Sequence, residues 1–207
     1  MIKIYYFLIL VALALLGCKS IEINDNLVSQ RINRLSMNIY SSNGKKFITI
    51  KSPYSNYNKE TNILNLKQTT IYLYKDGYRK YIINADKSQL SNNNKLLELN
   101  GNVIIKTLIK EEEELYSNNF SCNIEDSEFL LLGNVKFDNK EISLNSSKAI
   151  LNKKTNVIEF FNPVKYKVND QNKSKYEVNS ENAYYNIETK SVSFSSKDQR
   201  VRSKIYF

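Results

Sequence analysis

Hydrophobic and polar positions alternate along most of this chain, and the alternation recurs in copies. Around Leu97 the sequence runs LELNGNVIIK, and around Phe129 it runs FLLLGNVKFD. Aligning Gly101 with Gly133 sets Leu97 over Phe129, Leu99 over Leu131, Val103 over Val135 and Ile105 over Phe137. A third copy, IEFFNPVKYKV, puts Ile158, Phe160, Val164 and Tyr166 at the same places, with Asn162 where the glycine stood. Weaker copies end in Thr70-Ile71-Tyr72-Leu73 and in Arg200-Val201-Arg202. The valine-equivalent positions 71, 103, 135, 164 and 201 are 32, 32, 29 and 37 residues apart, so one supersecondary unit is used about five times.

Side chains of an extended strand point alternately to opposite faces. Each copy therefore carries an apolar face, as in Leu97, Leu99, Val103 and Ile105, backed by a polar one, as in Glu98, Asn100 and Lys106. Upstream lies a second alternating segment (Tyr81, Ile83; Ile142, Leu144; Tyr176, Val178), with Ala85, Ala149 or Ala183 near its end or just beyond. Each unit thus predicts two to four short strands joined by polar turns. One unit cannot bury its apolar face alone, so the units must stack and share it. The predicted fold is all-β: an elongated, antiparallel jellyroll of repeated strand units, folded over like a taco around an apolar interior. The glycine between Leu99 and Val103 marks a bulge or sharp bend in its strand. Frequent Tyr (15 in the chain), Ile, Val, Thr and Phe suit such a half-buried, pleated surface.

The first 45 residues are different. Lys3 precedes an unbroken apolar run, residues 4–16, that ends in Leu15-Leu16-Gly17-Cys18. At about 1.5 Å per residue such a run makes roughly 20 Å of helix, short of a ~30 Å hydrocarbon core. It has the layout of a secretory signal, and its last four residues resemble the bacterial lipobox, in which the cysteine thiol becomes lipidated. The expected organisation is a signal peptide over 1–17, a lipid-anchor site at Cys18, a polar tether to about residue 45 with room for one short element, and a β domain over 46–207. The competing reading is an uncleaved anchor with an incidental cysteine. Both place the remaining chain outside the cytoplasm and tethered to a membrane.

With Cys18 consumed, Cys122 is the one thiol left, and no intramolecular disulfide can form. The formal charge of +9 falls to +8 once Lys3 is removed with the signal. That excess suits an acidic partner such as an anionic lipid surface, although a chain crowded with Lys, Asn and Ile is also what an AT-rich genome produces. Nucleic acid is not an expected partner of an exported, tethered protein. The chain has no histidine, which removes the commonest general base and metal ligand together. Glu111 to Glu114 form the densest acidic run, but consecutive carboxylates on a strand or loop diverge, and a solvated turn is expected there. With no phosphate-binding glycine loop either, neither catalysis, a metal nor a cofactor is expected.

The A-x-Y and L-x-L-x-G-N-V patterns resemble the periplasmic β-jellyroll domains of lipopolysaccharide export, in particular the LptC family. The residues that carry this are Ala85 to Lys106, Leu130 to Phe137, Ala149 to Tyr166 and Ala183-Tyr184-Tyr185 through Phe194. The resemblance implies a conduit on the periplasmic face of the inner membrane. Its partners would be lipopolysaccharide or a related glycolipid, an inner-membrane ABC transporter complex that supplies it, and a periplasmic β-jellyroll bridge protein that receives it. The glycolipid groove would be lined by the repeated inward set: Leu97, Leu99, Val103, Ile105, Phe129, Leu131, Val135, Phe137, Ile158, Phe160, Val164 and Tyr166. The same side chains could instead fill a closed core. The last segment alternates cleanly, with Val201, Ile205 and Phe207 on one face, and offers an edge for docking the bridge protein or simply a closing strand. Better-known LptC proteins keep an N-terminal transmembrane helix, so a lipidated Cys18 is a departure that removes helix-mediated contact with the transporter. An adhesive surface lipoprotein and a β-solenoid enzyme acting on polysaccharide remain the alternatives, the latter requiring two carboxylates that share a cleft. Replacing Cys18 by Ala should abolish metabolic labelling with a fatty acid and leave an unprocessed precursor; labelling that persists would exclude the lipid anchor.

Overall fold

A computed structural model describes residues 28–41, 44–91, 93–108, 113–168, 175–197 and 200–206. Cys18 and Phe207 lie outside the described residues, as do Glu111 and Glu112. The chain runs back and forth as β1 (Ser29–Tyr40), β2 (Lys46–Asn58), β3 (Ile63–Lys75), β4 (Tyr78–Ser91), β5 (Leu96–Thr107), β6 (Glu114–Asn123), β7 (Glu128–Asp138), β8 (Ile142–Asn152), β9 (Val157–Val168), β10 (Lys175–Asn186), β11 (Val192–Ser195) and β12 (Arg202–Tyr206). From β1 to β11 each strand pairs antiparallel with the next in one continuous meander, and β12 pairs with β10 beyond β11. β11 lies against residues 182–185 and β12 against residues 175–179, so together they form one final strand interrupted midway. The fold is the all-β, folded-over sheet that the repeat predicts.

Asparagine builds the turns. The side-chain oxygens of Asn58, Asn139, Asn152 and Asn186 each accept from the backbone N–H groups two and three residues ahead, at 2.8 to 3.1 Å. These Asx turns mimic a backbone turn and reverse the chain without glycine. The asparagine content therefore has a structural use beyond genome composition.

Every long strand also bends near its middle, and the bends fall on one line across the sheet. Six consecutive ladders, β4–β5 through β9–β10, shift register there, at Asn84/Lys87, Asn100/Val103, Tyr116/Asn119, Leu132/Val135, Asn145/Lys148 and Ser180/Asn182. The odd strands supply the unusual backbone: Arg34 in β1, Gln68 in β3, Gly101-Asn102 in β5 and Gly133-Asn134 in β7 all have positive φ. The even strands supply a local brace. Ser52, Ser117, Ser146 and Ser180 each donate their hydroxyl to the carbonyl two residues ahead, at 2.7, 3.0, 2.9 and 2.8 Å. The crease divides the sheet into two arms that face each other: arm A holds the first halves of the odd strands, and arm B their second halves.

The inner row along the crease reads Thr69, Ala85, Val103, Ser117, Val135, Ser146, Val164 and Ser180, so small side chains sit where the arms converge. Two repeat alignments shift accordingly. Thr69, not Ile71, is the counterpart of Val103 in the first copy, because β3 crosses the crease with the single left-handed residue Gln68 instead of with a Gly-Asn pair. Ala85 corresponds to Ser146 and Ser180, three residues before Ala149 and Ala183.

β1 lies inside the stretch expected to be tether. Its inward residues Ile32, Leu35, Met37 and Ile39 pack partly buried against the core. The spacing from Ile32 to Leu35 is three across the left-handed Arg34, φ 54°, which breaks the period of two that a sequence reading requires.

Gly101 (φ 77°) is the most constrained bend. A Cβ added there would stand 2.8 Å from the Asp86 carboxylate and 3.2 Å from its Cβ. Gly101→Ala should cost about 1–3 kcal/mol in urea unfolding, from left-handed strain plus the contact. Gly77→Ala, in a turn with open space around it, should cost no more than about 1–2 kcal/mol.

Candidate lipid-binding interior and its mouth

The apolar faces of the arms meet in one contiguous core. All twelve residues expected to line the groove are in it, and none is more than 5% exposed. Toward the first strands the interior is aliphatic, with Ile48, Ile50, Leu64, Leu66, Ile71, Ile83 and Leu90 buried. Toward the last strands it is aromatic. Phe137 of arm B meets Tyr185 and Phe160 of arm A at centroid distances of 4.4 and 6.3 Å, and Tyr166 of arm B meets Phe194 of arm A at 5.2 Å. These contacts cross between the layers, so the side chains fill the space they enclose. The interior is a packed core in this conformation, and its walls are mostly apolar, with a few buried hydroxyls such as Ser55, Thr69, Ser88, Ser117 and Ser180 among them.

Opposite the crease the arms leave a seam, which polar clasps close in places. Glu113, 3% exposed, accepts a hydrogen bond of 2.6 Å from the Tyr185 hydroxyl and is ion-paired with Lys190. Lys80 donates to Asn156 at 2.8 Å, and Asn156 donates to Glu188 at 2.7 Å. The Glu111–Glu114 run is thus only partly the solvated turn expected: Glu113 is buried under partners 72 and 77 residues away, and Glu114 pairs with Lys106 and accepts from Tyr116. Burial, and secondarily the Glu113 and Glu188 charges, pushes the Tyr81 phenol up to about 12. The buried Cys122 thiol is likewise pushed up to about 12 by desolvation, which leaves it protonated and unreactive at neutral pH.

Beside the Lys80–Asn156 clasp the seam opens into a cavity of about 320 Å³. Arm B contributes Phe47, Leu73, Lys75, Lys80 and Tyr81, and the turns of arm A contribute Glu125, Asp126, Lys153 and Lys154. The Lys153 ammonium lies over the rings of Phe129 and Phe47, 4.6 and 4.9 Å from their centroids. Burial lowers the pKa of both Lys153 and Lys80. None of these rim residues stood out in the sequence, because turns from distant repeats create the cluster.

Among the described residues neither outer edge of the sheet has a further strand beside it: β1 has no neighbour on its outer side, and at the other end Val201 and Ile205 are 45% and 57% exposed. Val201 just precedes β12 and Ile205 lies within it.

A folded-over antiparallel sheet with a largely apolar interior defines a β-jellyroll. Residues 7–166 match the family described as lipopolysaccharide-assembly, LptC-related. The chain belongs to that family, and its role lies in lipopolysaccharide transport. No curated protein sequence matches it. Among solved structures, it is similar to LptH of Pseudomonas aeruginosa, the LptA-homologous periplasmic component of the lipopolysaccharide transport device. That match has 8% identity, covers 77% of this chain and 94% of the other, and has a TM-score of 0.43.

The Glu113 clasp carries a measurable share of stability. Removing its cation leaves a buried carboxylate with the Tyr185 hydroxyl alone, so Lys190→Ala should lower the unfolding free energy by about 1–3 kcal/mol. A loss below a few tenths of a kcal/mol in urea titration would show that the seam does not depend on this pair.

Proposed function

We propose that this chain is the membrane-anchored periplasmic component that receives lipopolysaccharide from an inner-membrane ABC transporter and passes it to the next β-jellyroll of a bridge. Cys18, carrying the lipid, holds the domain beside the inner membrane. The twelve inward residues from Leu97 to Tyr166 form the wall along which acyl chains travel. The observation that carries this reading is the contiguous, largely apolar interior between two arms hinged on one crease.

Exposing a 14-carbon acyl chain to water costs on the order of 10 kcal/mol, at about 0.8 kcal/mol per methylene. A bilayer already spares the lipid that cost, so entry into an apolar wall is nearly neutral. Because the wall residues now contact each other, lipid enters as the arms part and acyl contacts replace side-chain contacts. The domain shields the chains, and the direction of movement comes from ATP hydrolysis in the transporter.

The free edges suit hand-over, since unpaired backbone N–H and C=O groups accept another strand. The exposed Val201 and Ile205, continued by Phe207, supply apolar side chains at the last edge, where the bridge protein docks. β1 supplies the opposite edge.

A photo-crosslinking amino acid at Val135 or Phe160 should capture glycolipid in living cells, and one at Glu98, on the outer face, should not. Equal capture at all three positions would remove the support for an internal path.

A further inference from the structure

The open cavity in the seam has a chemistry of its own. Its walls are the half-buried Phe47 and the buried Leu73 and Tyr81, and its rim carries the ammonium groups of Lys75, Lys80, Lys153 and Lys154. Two carboxylates face them. Glu125 is already paired with Lys95 at 3.0 Å, which leaves Asp126 against four cations. Lys153 has no ion pair with any described carboxylate and spreads its charge over two aromatic rings instead. Its half-buried position and lowered pKa mean that the charged form is held there at a cost, which an incoming anion would relieve. The cavity volume falls within the range of roughly 300–1,000 Å³ typical of small-molecule sites. An apolar slot under an excess of cations, two of them half-buried, fits an amphiphile with an anionic head.

We propose that this seam slot is a lateral binding site for a single acyl chain bearing a phosphate head. The chain lies against Phe47, Leu73 and Tyr81, and the phosphate is held by Lys80 and Lys153. Lys75 and Lys154, both exposed, add long-range attraction at the rim. To reach the phosphate, Lys153 leaves the two rings, which then contact the acyl chain. The site deepens the glycolipid-conduit reading and rests on it: it gives a phosphorylated lipid a point of entry from the side of the domain, away from the strand edges.

The chain contains no tryptophan, so Phe47→Trp places one reporter in the wall. The full-length lipidated protein carrying it, anchored in phosphatidylcholine nanodiscs, would be titrated with decyl phosphate, decyl glucoside and inorganic phosphate while indole fluorescence is followed. Decyl phosphate should bind saturably and at least about tenfold more tightly than decyl glucoside, and its affinity should fall with added salt. Inorganic phosphate should give no response at the same concentrations. Lys80→Gln and Lys153→Gln should each weaken decyl phosphate about five- to tenfold, and Asp126→Asn should strengthen it, each without altering decyl glucoside. Equal affinity for the two amphiphiles, indifference to the lysine substitutions, or an equal response to inorganic phosphate would overturn the site. Crosslinking of glycolipid at Phe160 serves as the separate arm. If it persists while the slot fails, only the slot is wrong, and if both fail the conduit reading falls with it.

Discussion

An alternating strand has one apolar face, and a meander of such strands produces an apolar sheet that has to be covered. In this protein the sheet covers itself. All long strands bend on one line, so arm A closes over arm B and the inward faces bury each other. The left-handed Gly-Asn pairs of β5 and β7, the single left-handed residues of β1 and β3, and the serine braces of the even strands are different local solutions to that one geometric demand. The small inner row of Thr, Ala, Val and Ser along the crease follows from it, because the arms are closest there.

The same constraint shapes function. A sheet hinged on one side leaves a seam on the other, and what lines the seam decides what enters. Clasps at Glu113 and at Lys80–Asn156–Glu188 tie the arms together at intervals, and lysines surround the interval left open. A net charge of +9 is thus partly concentrated where an anionic lipid would be admitted. Among the described residues the one buried charged side chain is Glu113, at the seam itself, so the interior behind it is uncharged.

Much of this fold is legible in the sequence because its repeat is carried by alternation and by Gly-Asn pairs 32 residues apart. The inward set from Leu97 to Tyr166 can be read residue by residue, since period two leaves no choice of face. What escapes the sequence is whatever interrupts the period or joins distant units. β1 is hidden by the left-handed Arg34, across which Ile32 and Leu35 are three apart. Ile71 is misaligned by two because β3 bends with one residue fewer. Glu113 reads as one of four solvated glutamates until Tyr185 and Lys190 are brought over it. The seam lysines come from turns of separate repeats, and no local pattern announces them. The packed state of the interior is equally invisible, because alternation names the residues that face inward and not the distance across to the other arm.

The most direct measurement is mass spectrometry of the organic extract from the full-length protein, gently solubilised from cell envelopes and purified. The account predicts a phosphorylated, multiply acylated glycolipid enriched well above its share of the surrounding membrane lipid. An extract containing only bulk phospholipid in membrane proportions would contradict it.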